Sequence, residues 1–159
     1  MSAKPGKPRV IPPWGPDVHL VTQGRTITAG DFAAIVNASW EFSTMHTDAE
    51  FAKNTVYGQP ILGGPCLIAM TAGLTVHYLY VSWHAAGYDC YAALGIDDIR
   101  YVTPVVVGDT IHAEVTVSDF HPTPNGSAMF TRLNDVLKNQ RGEVVLTMHR
   151  KYLLKGLPD

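Results

Sequence analysis

From Gly63 to Trp83 the chain reads G-G-P-C-L-I-A-M-T-A-G-L-T-V-H-Y-L-Y-V-S-W, apolar on nearly every side of a helix. A helix of that kind either crosses a membrane or is wrapped by protein. The sequence favours the wrapped helix. His77 and Gly73 interrupt the apolar surface, and neither flank carries the basic cluster that orients a span. Pro65 suits the first helical position, where its missing N–H costs nothing. Such a helix runs roughly 30 Å and needs a large apolar surface around it.

The C-terminal half supplies that surface. T-I-H-A-E-V-T-V-S alternates strictly, putting Ile111, Ala113, Val115 and Val117 on one face, the period of a half-buried strand. P-T-P-N-G turns the chain, M-F-T-R-L-N-D-V-L returns, K-N-Q-R-G turns again, and E-V-V-L-T-M-H-R-K-Y-L-L returns once more. Y-A-A-L-G-I-D-D-I-R-Y-V, ending before Pro104, is a further strand. Strands gathered after one enveloped helix predict an α+β domain, an antiparallel sheet wrapped around that helix. Two short helices precede it. The first opens at T-I-T-A-G-D-F-A-A-I-V, with Thr28 and Asp31 as a capping pair and Phe32, Ile35 and Val36 at helical spacing. In T-D-A-E-F-A-K-N the spacing makes Thr47 the cap, with Glu50 reaching back from the third helical position.

Charge narrows the function. Twelve basic and fourteen acidic side chains give a net charge of −2, scattered along 159 residues. That leaves no footprint for nucleic acid or anionic lipid, so a small molecule or another protein is the expected partner, with no nucleic acid and no membrane. Cys66 and Cys90 stand in no C-x-x-C pair, which fits a reducing compartment. The first sixteen residues hold five prolines and no apolar h-region, so they read as an extended arm, not a secretory signal. The expected layout is an arm over residues 1–19 and one domain over 20–159, in the cytoplasm.

The candidate chemistry lies between the two short helices, in S-W-E-F-S-T-M-H-T-D. Glu41 and His46 stand five positions apart there. On a continuous helix that spacing diverges by about 140°, so the two converge only if the chain turns between them.

Three blocks carry a family likeness: H-T-D-A-E-F-A-K; the G-Q-P-I-L-G-G turn into the long helix; and D-D-I-R-Y-V-T-P-V-V-V-G-D-T. In order and spacing they resemble the MaoC-like dehydratases and (R)-specific enoyl-CoA hydratases of the hot-dog fold, from about Leu20 to Leu154. The family's first block reads close to S-G-D-x-N-P-x-H-x-D. Here Glu41 takes the catalytic aspartate position, one methylene longer, and His46 the histidine position. Trp40 replaces the usual glycine, Ser43 the asparagine and Thr44 the proline. Where the family has P-I-x-H-G, this chain has Pro60-Ile61-Leu62-Gly63-Gly64.

The resemblance implies hydration of 2-enoyl thioesters, or dehydration of 3-hydroxyacyl thioesters, carried on coenzyme A or acyl carrier protein. It implies Glu41 and His46 as the acid/base pair and the Gly64 N–H as the donor to the enolate oxygen. Trp40, Ser43, Gly63 and Pro65 would line the substrate site. No cofactor beyond the thioester carrier is implied. A homodimer or higher homo-oligomer with sites at the subunit interface is implied, and a heteromer fits the same pattern. The chemistry suits these groups. Hydration needs a base for water, an acid for the α-carbon and a donor for the enolate, and a helix N-terminus supplies the last. Two rivals share the fold: a thioesterase relying on Glu41, and a non-catalytic acyl-binding subunit of a heteromeric dehydratase. Asp48 reads as a first-turn helix residue and Arg100 as a solvated charge. His77 and His84 share a helical face, but no third ligand completes a metal set.

Overall fold

The structure is a computed structural model that describes residues 11–157, so the first ten residues of the expected arm lie outside the described residues. In chain order the elements are β1 (His19–Val21), β2 (Arg25–Thr26), α1 (Ala29–Ser39), α2 (Thr44–Thr47), α3 (Ala49–Lys53), α4 (Gly64–Ala85), β3 (Tyr88–Tyr101), β4 (Thr110–Pro122), β5 (Met129–Lys138) and β6 (Val144–Gly156). The strands form an antiparallel sheet in the order β1-β4-β5-β6-β3, and β2 also pairs with β4. The long helix α4 lies against it in the hot-dog arrangement. Three register shifts along β3 curl that strand, as bulges do.

The pattern that predicted the long helix and the four long strands also fills the core. Ile111, Ala113 and Val115 of β4 are buried, as are Leu133 and Leu137 of β5 and Leu146 and Met148 of β6. On α4 the buried stripe is Cys66, Leu67, Thr71, Thr75, Leu79, Ser82 and Trp83, spaced by three or four. Full burial of each large apolar side chain here contributes roughly 1.5–3 kcal/mol. The sheet covers one side of α4, while Val76, Tyr80 and Val81 on the other stay exposed. Beneath Thr75 lies a buried ion pair. Arg150 reaches Asp135 through Nε at 2.8 Å and Thr75 Oγ1 through Nη2 at 2.8 Å.

Some local expectations change. Asp48, not Thr47, caps α3, accepting from the Phe51 N–H at 2.9 Å. Thr47 is still helical at the end of α2 and its hydroxyl donates to Ser43 O, while Glu50 pairs with Lys53. Pro65 takes the second helical position behind Gly64, equally tolerant of a missing donor. Within residues 11–19, Trp14 and Val18 are buried, Trp14 edge-on to Trp83 at 5.8 Å, so this segment packs on the domain.

Candidate active site

The loop that carries Glu41 and His46 begins with the way α1 ends. Thr28 and Asp31 form the expected capping box at its start. At its end Trp40 adopts the left-handed conformation, φ 58° and ψ 27°. The Trp40 N–H bonds to Asn37 O at 3.4 Å and the Glu41 N–H to Val36 O at 3.3 Å, the two crossed bonds of a Schellman turn. This turn reverses the chain and aims Glu41 away from the helix axis.

The single turn of α2 brings His46 back. Ser43 O accepts the N–H groups of His46 at 2.9 Å and Thr47 at 3.1 Å. His46 Nδ1 then lies 2.6 Å from Ile61 O. A carbonyl only accepts, so Nδ1 carries the hydrogen, and Nε2 of the neutral ring is left as an acceptor. That Nε2 faces Glu41 Oε1 at 3.9 Å, with the imidazole 13% and the carboxylate side chain 30% exposed. The five-residue spacing thus converges through two turns.

The start of α4 closes the site. A Cβ on Gly63 would lie 2.7 Å from Glu41 Cγ and 3.3 Å from Oε2, so the carboxylate arm rests on bare backbone. A Cβ on Gly64 would meet the ring of Tyr101. The Leu62 N–H bonds to Val105 O at 2.9 Å, tying this segment to the loop after β3. Gly63 O accepts from the N–H groups of Cys66 and Leu67, and the Gly64 N–H has no partner among the described residues. The positive end of α4 therefore presents a free donor beside the Glu41–His46 pair.

The other candidates fall around this centre. Trp40 is 79% exposed and leans on Phe42, their ring centroids 6.3 Å apart. Ser43 acts through its carbonyl, and its side chain makes no cap bond. Pro65 is exposed at the mouth of the helix. Arg100 pairs with Asp98 at 3.1 Å. Among the described residues no group of three His, Cys, Asp or Glu side chains is placed to hold a metal ion; His84 pairs with Asp89, and His77 sits edge-on to Tyr78. Sequence reasoning missed Tyr101 and the Ile61 carbonyl. The signal for Tyr101 was an aromatic residue closing a strand just before the loop to Pro104. A groove of about 1040 Å³ between α1 and α4 is lined by Ile35, Ala38, Met70, Gly73, Leu74 and His77 among others, and neither Glu41 nor His46 lines it.

Residues 16–136 match the family model of the MaoC like domain. Protein MaoC of Klebsiella aerogenes is 30% identical over 101 residues, 64% of this chain, which spans only 28% of that relative's length. Among solved structures, the monoamine oxidase regulatory protein from Archaeoglobus fulgius is similar with a TM-score of 0.81 and 29% identity, over 91% of this chain and 93% of that one. The (R)-hydratase from A. caviae involved in PHA biosynthesis is similar with a TM-score of 0.67 and 25% identity, over 91% of this chain and 98% of that one.

Proposed function

Since the chain belongs to the MaoC-like domain family, we propose that it hydrates 2-enoyl thioesters, or dehydrates 3-hydroxyacyl thioesters, with Glu41 and His46 as its acid/base pair. The observation that carries this reading is the 3.9 Å approach of Glu41 Oε1 to His46 Nε2 beside the free Gly64 N–H. Two acceptors at that separation can both be reached by one water at an ordinary length of about 2.8 Å. With both hydrogens so held, a lone pair of the water oxygen points at the substrate. As oxygen bonds to the β-carbon, Glu41 takes one proton and the π electrons move toward the thioester, leaving an enolate whose charge rests on oxygen. Glu41 then returns that proton to the α-carbon as the enolate collapses. The Gly64 N–H and the helix dipole stabilise the charge while it lasts.

The α1–α4 groove suits an acyl chain on coenzyme A or acyl carrier protein. The exposed apolar residues Tyr91, Leu94, Ile96 and Ile99 of the outer strand β3 and Val102 just after it, with Val76, Tyr80 and Val81 of α4, suit a second copy of the chain. Free Cys66 and Cys90 accord with the cytoplasm. The decisive experiment incubates the purified protein with crotonyl-CoA and a longer enoyl-CoA, following enoyl absorbance and free thiol separately. Enoyl absorbance should fall without thiol release, and His46→Ala should abolish that loss. Thiol release with the enoyl group intact would instead identify a thioesterase. Sedimentation should give a multiple of the 17.3 kDa chain mass.

A further inference from the structure

Tyr101 closes β3, and its ring covers Gly64 at the start of α4. A Cβ on Gly64 would lie 2.7 Å from both Cε atoms of that ring, and Cζ is nearer still. Two equal ε contacts about a closer ζ carbon mean that the hydroxyl-bearing end of the ring points over Gly64. The backbone on both sides is fixed, since Tyr101 is in register with Leu146 and the Val102 N–H bonds to Val145 O at 2.9 Å. The ring is 54% exposed, and its hydroxyl has no partner among the described residues. The family pattern R-F-x-x-P has phenylalanine at this position, so the hydroxyl is what this chain adds.

The start of α4 is poor in donors. Pro65 has no N–H, and those of Cys66 and Leu67 are turned to Gly63 O at 3.1 and 3.4 Å. Of the helix's first four residues only Gly64 keeps a free N–H, so an oxyanion there would have one of its lone pairs unmet. We propose that Tyr101 is a catalytic residue whose hydroxyl donates a second hydrogen bond, beside the Gly64 N–H, to the thioester oxygen as it becomes an enolate. This rests on the hydratase reading above. The phenol keeps its proton; its hydrogen bond strengthens as negative charge gathers on the acceptor, so it favours the transition state over the bound substrate.

The test is Tyr101→Phe, which keeps the ring on Gly64 and removes only the oxygen. For crotonyl-CoA hydration kcat should fall on the order of a hundredfold, the usual effect of losing one oxyanion donor. KM and the melting temperature should stay near wild type. A second readout is the pH titration of bound acetoacetyl-CoA, followed by its enolate absorbance. Wild type should enolise it at lower pH than free ligand does, and Tyr101→Phe should lose much of that shift. A variant with wild-type kcat and an unchanged enolate titration overturns the proposal. So does a loss of kcat that comes with a lower melting temperature and an unchanged titration, which would assign the ring to packing. His46→Ala is run alongside. If wild type leaves the enoyl absorbance unchanged, the hydratase reading itself fails; if wild type hydrates and His46→Ala does not, while Tyr101→Phe keeps wild-type activity, only the role of Tyr101 does.

Discussion

The side chain of Glu41 occupies the space in which any side chain at position 63 would have to stand, with Cγ 2.7 Å from where a Gly63 Cβ would be. This joins two departures from the family pattern. The carboxylate is one methylene longer than aspartate, and the residue before Gly64 has lost its histidine side chain. The longer acid fills the room that the missing imidazole leaves. Gly63→His should therefore abolish hydration, because displacing a reacting group by about 1 Å can cost on the order of a hundredfold. Combined with Glu41→Asp, the same change should recover part of the lost kcat. A double variant no better than the product of the two singles would show that the positions are independent.

How the site is built explains what the sequence made visible. The long helix and the four long strands announce themselves through periodicity. β1 and β2, at three and two residues, are too short to carry a period. Glu41 and His46 were legible only through resemblance, because the turn joining them depends on a left-handed residue and Trp40 conceals the glycine that would have marked it. The open side of α4 was illegible for another reason: apolar residues read alike whether their own sheet or something outside the chain covers them. Tyr101 ends a strand, and nothing in its neighbours along the chain marks Gly64 as the residue beneath its ring.

Trp40 holds a conformation that costs an L-residue roughly 1–2 kcal/mol, and at 79% exposure it recovers little by burial. Trp40→Gly should raise stability by about 1 kcal/mol, read as a higher urea midpoint with an unchanged slope. A lower midpoint would mean that the Trp40–Phe42 contact outweighs the backbone strain.

The buried Arg150–Asp135 pair sits under α4. Burial opposes the charge on Arg150 most strongly, but the hydrogen bonds to Asp135, the charge of that carboxylate and Tyr152 together outweigh it and raise its pKa. Asp135→Ala strands a buried guanidinium and should cost about 3–5 kcal/mol in chemical unfolding. Replacing both partners, Asp135→Leu with Arg150→Met, should cost far less, because no charge is left unpaired.

At the start of α1, bonds from the Thr28 hydroxyl and N–H, helped by Arg25, hold the Asp31 carboxyl at about 2 against an ordinary 3.8. With the folded value below the unfolded one, its stabilisation is complete above the ordinary value and disappears as pH falls through about 2. Asp31→Asn should melt below wild type at pH 6, and the gap should close as both are acidified from pH 4 toward 2. A gap that persists to pH 2 would show that the charge of Asp31 is not what stabilises the helix.

Gly73 stands on the groove side of α4, and a Cβ there would meet nothing within 4 Å. A larger side chain would project into the groove between α1 and α4 and not into the core. Exchanging glycine for a side chain within a helix also tends to stabilise it, by up to about 1 kcal/mol, so Gly73→Phe should fold at least as well as wild type. If the acyl chain lies in this groove, the variant should keep its kcat/KM for crotonyl-CoA while its value for a long-chain enoyl-CoA falls tenfold or more. Chain length is the informative variable, because damage to the Glu41–His46 pair would lower both substrates alike. Equal values for the two substrates at wild-type level would place the acyl chain outside the α1–α4 groove and leave the reading of Glu41 and His46 untouched.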